Sequence, residues 1–210
     1  MELFFIGLLL LTSLIGVAFI IERGWVLQWR KVVPAEVMAA VSACQGPGDV
    51  PSLRRICEQK PSCISRLLLV ASERLDWPKA ENAEAIQSYA RQEIVKLERG
   101  LVVLEIVVGI APLLGLVGTV FGLMKLFGDL GRTGLNDSAA LATGIGVILN
   151  STLLGLLIAI PSLIAWNYYT KKVENMAVEM ESLCTEFLRR QYRAQTPDAP
   201  NPDRKPIVRA

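Results

Sequence analysis

Three apolar runs, each long enough to cross a lipid bilayer, constrain this chain more than anything else in it. They are Leu3 to Ile21, Leu101 to Phe127 (interrupted by Glu105), and Ala139 to Trp166. Each approaches or exceeds the roughly 20 residues that a helix needs to cross a hydrocarbon core about 30 Å thick. With 52% hydrophobic residues and no histidine among 210, the chain is too apolar for an ordinary soluble domain of this size. Backbone N–H and C=O groups find no partners in hydrocarbon, so a spanning segment must be a helix or part of a closed barrel. Nothing in the sequence alternates as a strand does. The expected fold is therefore all-α: an integral membrane protein with three transmembrane helices.

The first run is not a secretory signal, because it starts on "MEL" and ends in "FIIERGW", with neither a basic start nor a small-residue cleavage site. Orientation follows from the tendency of Lys and Arg to stay in cytoplasmic loops. Arg23, Arg30 and Lys31 follow span one, Arg91, Lys96 and Arg99 precede span two, and Lys171 and Lys172 follow span three. Arg132 is the one cation between spans two and three. The N-terminus is thus expected outside and the C-terminus on the cytoplasmic side. The four cysteines, Cys44, Cys57, Cys63 and Cys184, then lie on the reducing side. Their spacing is not that of a zinc site. They are expected as small buried side chains, with neither disulfide nor metal.

The pattern divides the chain as follows: transmembrane helix one over 1–22, a cytoplasmic helical insert over 23–99 that leads into helix two, transmembrane helix two over 100–128, a short periplasmic loop over 129–138, transmembrane helix three over 139–169, a cytoplasmic helix extension over 170–195, and a disordered tail over 196–210. In the insert, prolines and glycines frame the amphipathic pieces "AEVMAAVSA", "SLRRICEQ" and "CISRLLLVASERL". After Pro78, an apolar stripe of Ala83, Ile86, Ala90, Ile94, Leu97, Leu101 and Leu104 runs straight into span two, broken only by Gly100. It predicts one helix from about Asn82 to Phe127, roughly 69 Å long at 1.5 Å per residue. A second stripe, Val173 to Leu188, predicts that helix three also extends beyond the membrane. Asp137 or Ser138 is a ready N-cap for that helix. The tail from Thr196 is rich in proline and charge.

Span two contains "GIAPLLGLVGTVFGLM", apolar yet interrupted by a proline, glycines and a threonine. Gly115, Gly118 and Gly122 lie three and four apart beside Thr119, and Gly118 with Gly122 has the small-xxx-small spacing that packs membrane helices. Span three answers with Ala140, Gly144, Ser151, Gly155 and Ser162, bordered by Thr152. These stripes admit two readings: packing of the two helices on each other, or a hydroxyl-bearing lining (Thr119, Asn150, Ser151, Thr152) facing a lumen between chains. A hydroxyl inside a helix can instead bond the carbonyl four residues back. The Asn150 amide is costly against lipid and is expected to face a neighbouring helix or water. Pro112 and Pro161 each remove one helix hydrogen bond, as kink or as hinge. Glu105 is the one carboxylate within these runs. It falls at the cytoplasmic edge, an interface charge within reach of Arg23 or Arg99.

Together, "APLLGLVGTVFGLM" and "GIGVILNSTLLGLLIAIPSLIAWN" resemble the paired signature of the ExbB/TolQ/MotA proton-channel (stator) family, in its three-span ExbB/TolQ-like branch. The resemblance covers spans two and three closely, and the N-out layout with a helical insert agrees along the chain. It implies a homopentamer that encloses a dimer of a single-span ExbD/TolR-like subunit, whose intramembrane aspartate carries the ion. It also implies an energy-transducing motor for transport across the envelope. Thr119 and Thr152 match the threonines that face that aspartate, and Pro112 and Pro161 match the motif prolines. The sequence departs at "GIGVIL": Val147 stands where many members carry glutamate, and Asn150 and Ser151 are candidates for compensating polarity. No cofactor is implied beyond the transported ion, H⁺ or Na⁺. No P-loop lysine, nucleophile with a base, or metal cluster suggests an enzyme. The alternative is a non-conducting oligomeric scaffold of an envelope complex.

Overall fold

The structure is a computed structural model that describes residues 2–133 and 138–195. Among these residues the regular elements are helical: α1 Glu2–Val26, α2 Trp29–Val32, α3 Ala35–Ala43, α4 Val50–Gln59, α5 Cys63–Glu73, α6 Lys79–Glu98, α7 Leu101–Thr133 and α8 Ser138–Gln195, with a single 3₁₀ turn at Pro47–Asp49. Three of them, α1, α7 and α8, are long and apolar enough to cross a membrane. The chain forms two compact units. One comprises residues 1–27 and 97–173, and the other comprises residues 28–96 and 174–210.

In the first unit α1 lies along α7. Its packing rests on small residues: a Cβ on Gly16 would stand 3.3 Å from both Ser162 Oγ and Val107 Cγ1. Near the other end of α1, the Tyr169 hydroxyl donates to the Ile20 carbonyl at 2.9 Å, and Gly24 leaves room for that ring. The faces turned away from these contacts are apolar and open, as with Val120 at 51% and Leu157 at 64% exposure. Lipid accepts such surfaces without cost.

In the second unit the helices that the periodicity selects bury the faces it selects: Val37 and Val41 of α3, Leu53 and Cys57 of α4, and Met176, Met180 and Phe187 of α8. The N-cap of α5 is Ser62, whose hydroxyl accepts from the Ser65 amide at 3.2 Å. Three successive residues near the end of α8 bind two segments, the end of α3 and the turn before α6. Arg190 donates to the Ser42 carbonyl at the end of α3 (2.7 Å), Gln191 to Cys44 Sγ (3.2 Å), and the Tyr192 hydroxyl to the Trp77 carbonyl (2.7 Å). Asn82, fully buried, donates to the carbonyls of Ala71 and Arg74 at 3.1 and 3.0 Å and so closes the turn between α5 and α6. All four cysteines are buried, and burial pushes the Cys57 thiol up to about 11.

Two expectations need correction. Helix two does not run unbroken from Asn82 to Phe127, because Arg99 and Gly100 form a turn between α6 and α7. Glycine in a helix interior costs about 1 kcal/mol relative to alanine. The loop is expected to begin at residue 129, but α7 continues to Thr133. Residues 134–137, with the cap candidate Asp137, and the tail from Thr196 lie outside the described residues, as do the side chains of Arg132, Ser138 and Ala140.

Glu93 of α6 is 6% exposed and is held by Arg66 and by Lys96 at 2.8 Å. Burial pushes its carboxyl up, but the two cations outweigh burial and hold it below its ordinary 4.5. Glu93→Gln is expected to cost about 1–2 kcal/mol at neutral pH, the lower part of the range for a charged hydrogen bond because both cations are largely solvated. A carboxyl with a lowered folded value stabilises the fold above its unfolded value, and loses that contribution as the pH falls through the folded one. Unfolding of the solubilised protein should therefore separate wild type from variant at pH 7 and bring them together in acid.

Candidate functional site

The site is the seam between α7 and α8, and its geometry begins with backbone contact. A Cβ on Gly115 would stand 2.8 Å from the Ser151 carbonyl oxygen and 3.0 Å from Thr152 Cα. One on Gly155 would stand 2.6 Å from the Ala111 carbonyl oxygen, and one on Gly118 would meet Ser151 Cβ at 3.0 Å. Farther along, Gly122 faces Ile148, and Gly144 faces Leu126. Rising residue numbers on α7 meet falling numbers on α8, so the helices are antiparallel. Gly115, Gly118 and Gly122 of α7 and Gly144 and Gly155 of α8 lie along this contact, whereas Ser162 lies against Gly16 of α1. At such separations dispersion between backbones replaces the hydrophobic effect, which lipid does not supply between helices.

The seam has two flanks, and they divide the polar residues that the sequence grouped together. One flank is a groove of about 850 Å³, lined by Phe5 and Ile6 of α1, by Gly118, Phe121 and Gly122 of α7, and by Val147, Asn150, Ser151 and Leu154 of α8. At 100° per residue, Thr119 and Thr152 fall on the other flank of their helices. Asn150 and Thr152 are two positions apart, roughly 160° around α8, and cannot line one face. In the antiparallel register Thr119 stands at the level of residues 148–152.

The hydroxyls also differ in what they bond. Thr119 is 8% exposed and donates to the Leu116 carbonyl at 2.7 Å, and Ser162 donates to Ile158 at 2.9 Å. Thr119 thus keeps its lone pairs for an incoming donor. Among the described residues Asn150, Ser151 and Thr152 have no side-chain hydrogen bond. Asn150 is exposed; Ser151 and Thr152 are half-buried.

Pro112 and Pro161 both lie inside continuous helices. Glu105 sits on the Thr119 flank, roughly four turns before it. It is exposed and makes no ion pair among the described residues. The expected pairing with Arg23 or Arg99 is therefore not made: Arg23 binds its neighbour Glu22 at 2.6 Å instead. Val147 opens onto the groove at 56% exposure. The contribution of α1 through Gly16 was not read from the sequence, although a lone glycine in the middle of an apolar span is the signal of a close helix contact.

No side chain between Glu105 and Lys125 on α7, or between Ser138 and Asn167 on α8, can titrate. Within those limits the seam offers hydroxyls and an amide; Lys125, at the end of that stretch, is the charged side chain that lines the groove. At the level of the threonines the seam is built to face an ionisable group, not to supply one.

Residues 62–182 match the pattern of the MotA/TolQ/ExbB proton channel family, a stretch that holds α5, α6, α7 and most of α8. An ExbB-like biopolymer transport protein of Synechocystis sp. is 34% identical over 167 residues, covering 75% of this chain and 63% of that protein. The biopolymer transport protein ExbB of Helicobacter pylori is 36% identical over 89 residues, 42% of this chain and 61% of its own length. That of Aquifex aeolicus is 32% identical over 116 residues, 55% and 78% respectively. The chain therefore spans less than two thirds of the length of the first two.

The seam makes unequal demands on its glycines. Gly155→Ala drives a methyl into a backbone carbonyl that cannot move aside, and is expected to cost about 1–3 kcal/mol, as overpacking does. Gly144→Ala meets only Leu126, through Cδ1 at 2.9 Å at the far end of a side chain that can rotate, and should cost less than 1 kcal/mol. Thermal denaturation of the two variants in one detergent checks the order; equal losses would mean that backbone contact does not set the seam.

Proposed function

This chain belongs to the MotA/TolQ/ExbB proton channel family, and we propose that it is the channel-forming subunit of an ion-motive-force-driven motor in the bacterial inner membrane. In this reading five copies form a ring around two copies of a single-span partner similar to ExbD or TolR. The basic residues flanking the spans support a periplasmic N-terminus and a cytoplasmic C-terminus.

The observation that carries the proposal is the contrast along the seam: hydroxyls at the middle of the span, and no titratable group beside them. A carboxylate at the centre of a bilayer costs about 2.5 to 3.5 kcal/mol even on the gentler insertion scale. The proton carrier is accordingly a carboxyl group on another chain, met by the flank of Thr119 and Thr152. Thr119, with its proton committed to Leu116, can accept from the protonated acid. The free hydroxyl of Thr152 can donate to the ionised form. A pair of this kind stabilises both states of a carboxyl group without holding either permanently. Each charge that crosses 100 mV releases about 2.3 kcal/mol, comparable with the cost of repacking a helix contact. Val147 supports leaving the protonation to the partner, because valine stands where many relatives carry glutamate.

Native mass spectrometry of the chain co-expressed with its single-span partner is expected to give five heavy and two light subunits. In proteoliposomes of that complex, Thr119→Val and Thr152→Val should each cut ion flux at least tenfold, while Asn150→Leu, on the groove flank, should leave flux unchanged. A ring without flux in the unmutated complex would favour the scaffold reading. Loss of flux in Asn150→Leu alone would move the path to the groove.

A further inference from the structure

The turn that separates α6 from α7 is built around a residue of a different helix. Arg23, in the last turn of α1, has a side chain only 11% exposed. Its Nη1 donates to the Leu97 carbonyl at 3.3 Å, and its Nε and Nη2 hold the Glu22 carboxylate at 2.6 and 2.9 Å. In an uninterrupted helix the Leu97 carbonyl accepts the N–H of Leu101, four residues on. Here Arg23 donates to that carbonyl. Gly100 is buried directly against the guanidinium, and a Cβ at that position would overlap Nε, Cζ and Nη2. The two features are complementary, since the one residue without a side chain lies where a cationic side chain needs the space.

We propose that Arg23 is a positioning residue for the channel helix: by occupying the Leu97 carbonyl and the space over Gly100, it fixes Leu101 as the start of α7. The hydrogen-bond ladder of α7 then begins at a defined residue, about five turns before Thr119. Glu22 neutralises the guanidinium and leaves the hydrogen bond to Leu97 as its remaining directional contact. The inference concerns the end of α1 and the start of α7 alone, and does not depend on which flank of the seam conducts.

Hydrogen exchange of the full chain in detergent or nanodiscs, read at residues 99–101 by mass spectrometry, tests it. Gly100→Ala ejects the guanidinium and favours helix. It is expected to slow exchange at these amides at least tenfold, by letting the Leu101 N–H reach Leu97. Arg23→Ala should slow it similarly, and the double variant should go no further than Gly100→Ala alone, because both changes act on one contact. Arg23→Lys, which keeps the charge and the reach to Leu97, should stay within twofold of the wild type. If Arg23→Ala fails to assemble, Gly100→Ala carries the test with every charge retained. Unchanged or faster exchange in Gly100→Ala, or an additive double variant, overturns the assignment.

Discussion

Contact between the backbones of α7 and α8 is the constraint on which the membrane unit depends. Between helices in lipid there is no hydrophobic gain to be had, so closeness itself must supply the attraction. Gly115 against the Ser151 carbonyl, and Gly155 against the Ala111 carbonyl, leave no room for even a methyl group. Such a contact fixes the register and rotation of both helices at once. Everything that the seam can do follows from that setting: the level of Thr119 opposite residues 148–152, the burial of its hydroxyl, and the division into a groove flank and a threonine flank.

That division gives the chain two chemically different surfaces in mid-membrane. The groove flank is walled largely by aromatic and aliphatic side chains and carries the Asn150 amide at an exposed position, together with Lys125. The threonine flank carries two hydroxyls in opposite bonding states, one donating to its own helix and one with its proton uncommitted. The other unit is organised differently. There the end of α8 acts through directional polar bonds, with Arg190 and Gln191 holding the end of α3 and Tyr192 the turn before α6. Water competes for such bonds, which is why that unit also needs the apolar core around Met176 and Phe187.

Several elements could be read directly from residue order. The pieces "AEVMAAVSA" and "SLRRICEQ" became α3 and α4 because proline and glycine bound them and their apolar residues recur at helical spacing. The stripe from Val173 to Leu188 is buried where it was expected. The break at Gly100 was harder to see, because an isolated glycine in a helical pattern is usually tolerated. What makes it a turn is Arg23, some seventy-five positions away, and no local pattern reports so distant a partner. The same holds for Glu105: its charge was evident, but its lack of an ion-pair partner follows from where Arg23 points.

The sequence by itself determined that this chain crosses a membrane as three helices, which residues form them, and which motifs place it in its family. Apolar length, helical periodicity and small-residue spacing are properties of neighbouring positions, and the physics that reads them is local. Only the tertiary structure decided that Asn150 and Thr152 look in opposite directions across the seam, that Thr119 spends its proton on Leu116, and that α7 starts at Leu101. Each of those depends on what stands opposite a side chain in space. Adjacent positions along a helix differ by 100° in direction, so a cluster in sequence need not be a cluster in the fold.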